Sequence, residues 1–202
     1  GCQLLAEIFY RVISTWWDQN LQVVFVANGE YQPVFQEIVN RHQFHKRVAI
    51  CDFSEQMEHL GYATADFILM PSRFEPCGLP QMIAPIYGSL PVAHDTGGIH
   101  DTVSHLDVAS GSGNGFLFKT FDAGGLFWAI EEAMRFYRLP ARSREEQVRR
   151  IMAESDAKFT YERTAQQYIE LYEKMLHRPL VVENQPDAPP PGAATAGLTQ
   201  PM

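Results

Sequence analysis

A chain of 202 residues, 46% hydrophobic and 20% charged, is long enough to bury one sizeable α/β core and has the composition of a globular domain. A formal net charge of -8 excludes a protein that tracks a phosphate backbone, because such proteins carry a lysine and arginine surplus. No nucleic-acid partner is expected, and a small, discrete ligand is. Cys2, Cys51 and Cys77 are odd in number and far apart, which excludes a disulfide framework and a CxxC metal site and points to a reducing, cytosolic setting.

The chain opens on Gly1-Cys2-Gln3 and runs directly into a helical pattern, without an initiator methionine or a signal-peptide pattern, so its natural beginning is expected upstream. No apolar run approaches the ~20 residues that cross a bilayer, and no membrane partner is expected. Leu4, Leu5, Ile8, Val12, Ile13 and Trp16 recur at three- and four-residue spacing, the apolar stripe of a helix, and Leu21 to Ala27 reads as a continuous buried strand. After Asn28-Gly29 a helical pattern runs from Pro33 to His42, and Arg47 to Ile50 is a short strand. Ser54 is a natural N-cap for a helix over Glu55 to Ala63, and Asp66 to Met70 is another buried strand. Gly78 to Tyr87 is helical, with Pro80 tolerated in the first turn and Pro85 expected to kink it.

Leu90 to Ala93 is the next strand, followed by a turn over Ile99 to Ser104, a loop over Gly111 to Gly115, a strand over Phe116 to Phe118 and a long helix over Asp122 to Tyr137. Two polar amphipathic helices, Ser143 to Asp156 and Tyr161 to Leu176, carry no recognisable chemistry. The expected domain covers residues 1–177, and residues 178–202, rich in Pro, Ala and Gly, are expected to be a disordered tail. Strands alternating with helices predict a doubly wound, mostly parallel Rossmann-like sheet, in which ligands bind beyond the carboxyl ends of the strands.

The segment from Met70 to Val103 carries the chemistry. It is a strand, then Pro71-Ser72-Arg73-Phe74-Glu75-Pro76-Cys77-Gly78-Leu79-Pro80-Gln81, a helix, a strand, and Asp95-Thr96-Gly97-Gly98. A carboxylate followed by glycine at a helix start sets Glu75 beside the free N–H groups of Gly78 and Leu79, an anion site suited to a pyrophosphate. Glycine at 78 lets a phosphate approach the main chain, and Gly97-Gly98 can meet the ligand from the other side. Glu75 itself is a poor phosphate ligand and a good acceptor for sugar hydroxyls, so the pattern suggests a nucleotide sugar.

Ser72-Arg73-Phe74-Glu75-Pro76-Cys77-Gly78-Leu79, then Tyr87-Gly88-Ser89-Leu90-Pro91-Val92, then Thr96-Gly97-Gly98-Ile99-His100-Asp101-Thr102-Val103 resembles the C-terminal domain of bacterial glycogen synthases and plant starch synthases, the ADP-glucose enzymes of glycosyltransferase family 5. The resemblance covers roughly residues 1 to 177. It implies the C-terminal half of a GT-B enzyme that transfers glucose from ADP-glucose to the 4-hydroxyl end of an α-1,4-glucan with retention. No cofactor and no metal are expected, and the location expected is the cytoplasm, or a plastid in a plant or alga.

By the same resemblance, Glu75 is the catalytic candidate, hydrogen-bonding sugar hydroxyls and supporting a cationic transition state. Cys77, Gly78 and Leu79 line the glucose and phosphate pocket through their amides, Thr96, Gly97 and Gly98 face the donor sugar, and Phe53 stacks on adenine. An arginine and a lysine that neutralise the leaving diphosphate would lie before Gly1, as would the domain that binds the glucan. The isolated chain is therefore expected to be inactive.

Two positions depart from the pattern. Pro80 stands where some relatives have threonine, and Ile83 stands where broader GT-B enzymes carry a ribose-binding glutamate, which agrees with the ADP-glucose branch. Other readings stand beside these. Glu75 can simply cap a helix, Cys77 reads as a small buried residue rather than a nucleophile, and Phe53 reads as core more readily than as a platform. His94-Asp95, His100-Asp101 and His105 with Asp107 match no standard metal spacing. Trp16, Trp17, Phe127 and Trp128 read as core or interface residues. At the level of function, a GT-B transferase using UDP-sugars and a non-catalytic nucleotide-binding module are the alternatives.

Overall fold

The first helix, α1 (Cys2–Thr15), buries Leu4, Leu5, Ile8, Phe9, Val12 and Ile13, the stripe that its spacing predicts. A computed structural model of the chain describes residues 1–180. A left-handed turn at Asn20 leads into β1 (Val23–Val26), and α2 (Gln32–His42) returns the chain to β2 (Val48–Cys51), parallel to β1. Helix α3 (Glu55–Thr64) begins at Ser54, whose hydroxyl accepts from the Met57 N–H at 3.2 Å as the expected N-cap.

Next come β3 (Phe67–Met70), α4 (Pro80–Tyr87), β4 (Leu90–His94), the short α5 (Gly97–Thr102) and β5 (Phe116–Phe118). Helix α6 (Ala123–Tyr137) is capped by Asp122, which accepts from Gly125 N–H at 2.6 Å, and α7 (Ala141–Lys158) follows. All strand pairs are parallel, but they form two ladders, β1-β2 and β3-β4-β5, rather than one continuous sheet. The expected α/β class with parallel strands stands, and the continuity of the sheet does not extend from β1 to β3.

Burial follows from this layout. Strand β4, paired on both sides, is buried along its whole length, whereas β1 and β3 are only half-covered and Val24 is 57% exposed. The buried strands expected at 21–27 and 66–70 are thus edge-like, because each has a ladder on one side only. A single core cluster joins α1, α2 and α6 to the side chains of both ladders, including Phe9, Phe35, Leu90, Phe116 and Leu126. Gly1–Thr160 forms one compact unit. A second begins at Tyr161, where α8 (Tyr161–Leu176) carries a Tyr168–Tyr172 ring pair at 6.2 Å. The expected tail falls, from residue 181 onward, outside the described residues.

Candidate active site

Because the strands within each ladder run the same way, their carboxyl ends share one edge of that ladder, and the chemistry-bearing loops leave from those edges. On the β3-β4-β5 ladder two loops meet. The Gly98 N–H donates to the Glu75 carbonyl at 2.8 Å, tying the loop after β3 to the start of α5. A Cβ on Gly97 would run into the Glu75 carbonyl oxygen, and one on Gly98 into the Cys77 main chain, so this contact requires both glycines. Gly97 also holds φ +47 and Gly78 holds φ +77, a backbone region that side-chain-bearing residues rarely occupy.

That φ value changes the expected helix. Gly78 cannot be helical, so α4 starts two residues later, at Pro80, which sits in the first turn where its missing N–H costs nothing. Cys77, Gly78 and Leu79 therefore form a main-chain arch before the helix. The Gly78 and Leu79 N–H groups donate to no protein acceptor among the described residues. Pro85 lies buried near the end of an eight-residue helix that Gly88 closes in a left-handed cap.

Glu75 is half-buried, and Ser72 Oγ donates to its Oε2 at 3.3 Å, which turns the carboxylate back over its own loop. Ser72 is in turn held by the buried His94 at the end of β4. His94 Nδ1 lies 2.8 Å from the Ser72 carbonyl, an oxygen that can only accept, so Nδ1 carries the proton. The His94 ring packs against Phe118 and Phe121 with centroids at 5.2 and 5.0 Å.

Gln81 staples the arch. Fully buried, its Nε2 donates to the Cys77 carbonyl at 2.7 Å and the Gly78 carbonyl at 3.1 Å, and lies 3.3 Å from Thr102 Oγ1. The Thr102 hydroxyl donates to the Gly98 carbonyl at 2.6 Å, so α4, the arch and α5 are knitted into one piece. Gln81 Oε1 has no partner among the described residues.

Glu75, Cys77, Gly78 and Leu79 are thus brought together with Thr96, Gly97 and Gly98, as the sequence predicts. Thr96 is the N-cap of α5, with its carbonyl accepting from Ile99 N–H at 3.1 Å and its hydroxyl making no cap bond. Cys77 is exposed rather than buried, with its carbonyl held by Gln81 and its thiol 3.6 Å from the Gly78 carbonyl. Leu79 and Phe74 are 61% and 66% exposed, which gives this surface an apolar character unusual for a loop.

Phe53 follows β2 on the carboxyl edge of the other ladder. It is 51% exposed, and its N–H donates to Asn28 Oδ1, beyond β1, at 3.1 Å. The core reading of Phe53 is therefore corrected. The loop between β2 and α3 leaves the sheet at Cys51, carrying the ring away from the α1–α2 core and presenting it to solvent.

The histidine–aspartate pairs resolve individually. His100 Nδ1 meets Asp95 Oδ1 at 2.7 Å, and this hydrogen bond and charge raise the His100 pKa from its ordinary value. His105 stacks on Trp128 at 5.5 Å and accepts from the Leu117 N–H. Among the described residues no three His, Cys, Asp or Glu side chains are grouped to hold a metal ion. Trp16 and Phe127 are buried and stacked on each other at 5.5 Å, while Trp17 and Trp128 are 41% and 43% exposed.

Four supporting residues escape sequence reasoning: Asn28, Ser72, Gln81 and Thr102. The spacings Cys77 to Gln81 and Gly98 to Thr102 are helical and so hint at the local bonds, but the Gln81–Thr102 contact spans 21 residues and leaves no local trace. A cavity of about 320 Å³ opens at the amino ends of the strands, among Asp66, Phe67, Gly88, Tyr137 and Arg144, and plays no part in the site.

The family model "Glycosyl transferases group 1" matches residues 1–135. The glycogen synthase of Desulforudis audaxviator is 36% identical over 180 residues, covering 88% of this chain and 34% of the relative. That of Anoxybacillus flavithermus is 35% identical over 179 residues, covering 87% and 35%. The chain thus spans about a third of the length of the curated relatives it matches.

Among solved structures, the catalytic domain of starch synthase IV from Arabidopsis thaliana, bound to ADP and acarbose, superposes with a TM-score of 0.71 at 31% identity, over 85% of this chain and 36% of that one. Sucrose-phosphate synthase from Thermosynechococcus elongatus, at 24% identity and a TM-score of 0.57 over 78% and 39%, shares the fold. With parallel α/β ladders, a glycine-built loop junction at their carboxyl edge and a family model covering two thirds of its length, the chain belongs to the group 1 glycosyl transferases.

Proposed function

We propose that this chain is the donor-binding half of a retaining glucosyltransferase that transfers glucose from ADP-glucose to the 4-hydroxyl end of an α-1,4-glucan. The observation that carries the proposal is the junction at the carboxyl edge of β3 and β4. There a half-buried carboxylate shares one loop with two main-chain N–H groups that donate to no protein acceptor among the described residues, at a point where two glycines let the main chains of two loops touch. Those N–H groups suit the diphosphate, and the Glu75 carboxylate suits the hydroxyls and growing positive charge of a departing glucosyl group.

Phe53, exposed beyond β2, supplies the face on which adenine stacks. Ile83 offers no acceptor for a ribose, which favours the ADP-glucose branch over the UDP-sugar enzymes. The acceptor glucan and the cationic neutralisation of the diphosphate belong to the part of the enzyme that the relatives have and this chain does not span. Residues 1–177 are assigned to the donor domain, and the enzyme is assigned to the cytosol, or to a plastid in a plant or alga. Three free cysteines agree with a reducing compartment, and among the described residues no helix is long and apolar enough to cross a membrane.

The test joins this chain to the preceding two thirds of the Desulforudis relative and follows radiolabelled glucose from ADP-glucose into glycogen. The 202-residue chain alone is expected to transfer nothing, and the fusion to transfer. Glu75→Gln in the fusion is expected to lower turnover about a hundredfold. ADP affinity should change by less than about threefold. Equal losses in turnover and affinity assign Glu75 to ordinary binding, and equal transfer from UDP-glucose defeats the donor assignment.

A further inference from the structure

One side chain orients two peptide units of the arch. Every peptide bond among the described residues is trans, and in a trans peptide the C=O and N–H of one plane point in opposite directions. The Cys77 carbonyl shares its plane with the Gly78 N–H, and the Gly78 carbonyl with the Leu79 N–H. Gln81 Nε2 donates to both carbonyls, at 2.7 and 3.1 Å. Each bond therefore turns the N–H of its plane away from Gln81, and neither N–H meets a protein acceptor among the described residues. The next plane, Leu79–Pro80, has no N–H, and its carbonyl accepts from the Met82 and Ile83 amides at 2.9 and 3.0 Å.

The carboxamide has one way to sit. Both carbonyls can only accept, so Nε2 and not Oε1 faces the arch. A Cβ on Gly78 would lie 2.7 Å from Nε2 and 2.9 Å from Cδ, so the carboxamide occupies the space that a side chain at 78 would fill. Gln81 is fully buried, and Thr102 Oγ1 lies 3.3 Å from Nε2 on the side of α5. Turning either peptide plane would withdraw an acceptor from a donor that water cannot reach, the costly way for a hydrogen bond to fail.

We infer that Gln81 is the positioning residue of the anion site. By holding the Cys77 and Gly78 carbonyls it keeps the Gly78 and Leu79 N–H groups turned outward, where they donate to the oxygens of a diphosphate. Gln81 itself is buried behind the arch and touches no ligand. Donors fixed beforehand lose no freedom when the anion arrives, so the same two amides bind more tightly than they would in a loose loop. The ligand class, a nucleoside diphosphate, rests on the donor reading above, whereas the geometry rests on hydrogen bonds that do not depend on it.

The experiment follows the Gly78 and Leu79 backbone amides by NMR in the 202-residue chain, in Gln81→Leu and in Ile13→Val. Gln81→Met, which keeps the unbranched length and has no donor, takes the place of the leucine variant if that one does not fold. Ile13 is fully buried in α1, about 18 Å along the helix from the end that lies against Pro71, so its truncation destabilises without touching the arch. Without ligand, the parent amides are expected at the rigid-backbone order parameter, about 0.85, and those of Gln81→Leu below about 0.6. Inorganic pyrophosphate and ADP are expected to shift both amides of the parent, and adenosine neither. Affinity for pyrophosphate and ADP should fall at least about tenfold in Gln81→Leu, and affinity for adenosine less than about twofold. Ile13→Val should change all three by less than about twofold.

Amides as rigid in Gln81→Leu as in the parent overturn the inference. So does a loss of affinity that adenosine shares equally, or that Ile13→Val reproduces, since either marks general destabilisation. A parent whose two amides do not respond to pyrophosphate overturns it as well. The donor reading fails separately: UDP binding as tightly as ADP through the same amides removes the ADP assignment and leaves the role of Gln81 standing. ADP binding that depends on Phe53 and is indifferent to Gln81 does the reverse.

Discussion

Replacing Gly98 by alanine probes the junction on which the site depends. A Cβ there would lie 2.6 Å from the Cys77 Cα and 2.7 Å from its carbonyl carbon, closer than real Cβ atoms approach backbone. The obstacle is main chain held by Gln81, so it cannot swing aside as a flexible side chain would. Overpacking of this kind costs about 1 to 3 kcal/mol. For a unit of this size that corresponds to a fall of about 3 to 10 °C in Tm. Gly124→Ala is the matched control. Its Cβ would meet only Asp122 Oδ1 at 3.4 Å, an ordinary contact, inside the exposed first turn of α6. Alanine there is expected to raise stability by a few tenths to about 1 kcal/mol. Urea midpoints of the two variants give the answer. A Gly98→Ala protein as stable as the parent, or one no less stable than Gly124→Ala, would refute the close approach of the two loops.

The remaining predictions concern single side chains. Gln81→Leu fills the same volume but removes the donor from the Cys77 and Gly78 carbonyls, and the urea midpoint is expected to report a loss of about 1 to 3 kcal/mol; an unchanged midpoint would show that Gln81 is no staple. Phe53→Ala removes a ring that is already half exposed, so stability is expected to hold within about 0.5 kcal/mol. ADP affinity should fall about tenfold in the same variant, and a calorimetric titration that finds it unchanged removes Phe53 from the site. The His100–Asp95 pair raises the folded pKa of His100, so its contribution is full below the ordinary imidazole value, about 6.5, and is lost as pH rises through the higher folded value. Denaturation midpoints of the parent and His100→Gln are expected to differ most at low pH and to converge at high pH, and a constant difference counts against the pair.

The fold was legible in the sequence wherever periodicity and caps decided it. The stripe Leu4 to Ile13 is the buried face of α1, and Ser54 caps the helix it was expected to cap. Boundaries failed where one glycine's backbone outweighed pattern: Gly78 looks helical by spacing, but φ +77 excludes it. The break in the sheet was invisible because strand patterns report which faces are apolar, and say nothing about which strands are neighbours.

For the site, the local motif placed Glu75, Cys77, Gly78 and Leu79 together, since they are consecutive in the loop after β3. Their meeting with Gly97 and Gly98 came from the βαβ rhythm. The supports came from distant packing. His94 reaches Ser72 across 22 residues and Gln81 reaches Thr102 across 21, and nothing in either neighbourhood announces a partner. Phe53 shows the limit of residue type as a guide, because an aromatic ring after a strand is read as core until the loop geometry turns it outward.

Calorimetric titration of the 202-residue chain with ADP and, separately, with UDP tests the central claim most directly. Weak, saturable binding of ADP that Phe53→Ala diminishes, with UDP binding at least about tenfold more weakly, is the result expected of a donor site for ADP-glucose. UDP binding as tightly as ADP, or ADP binding that is indifferent to Phe53 and to the Glu75 loop, would contradict it.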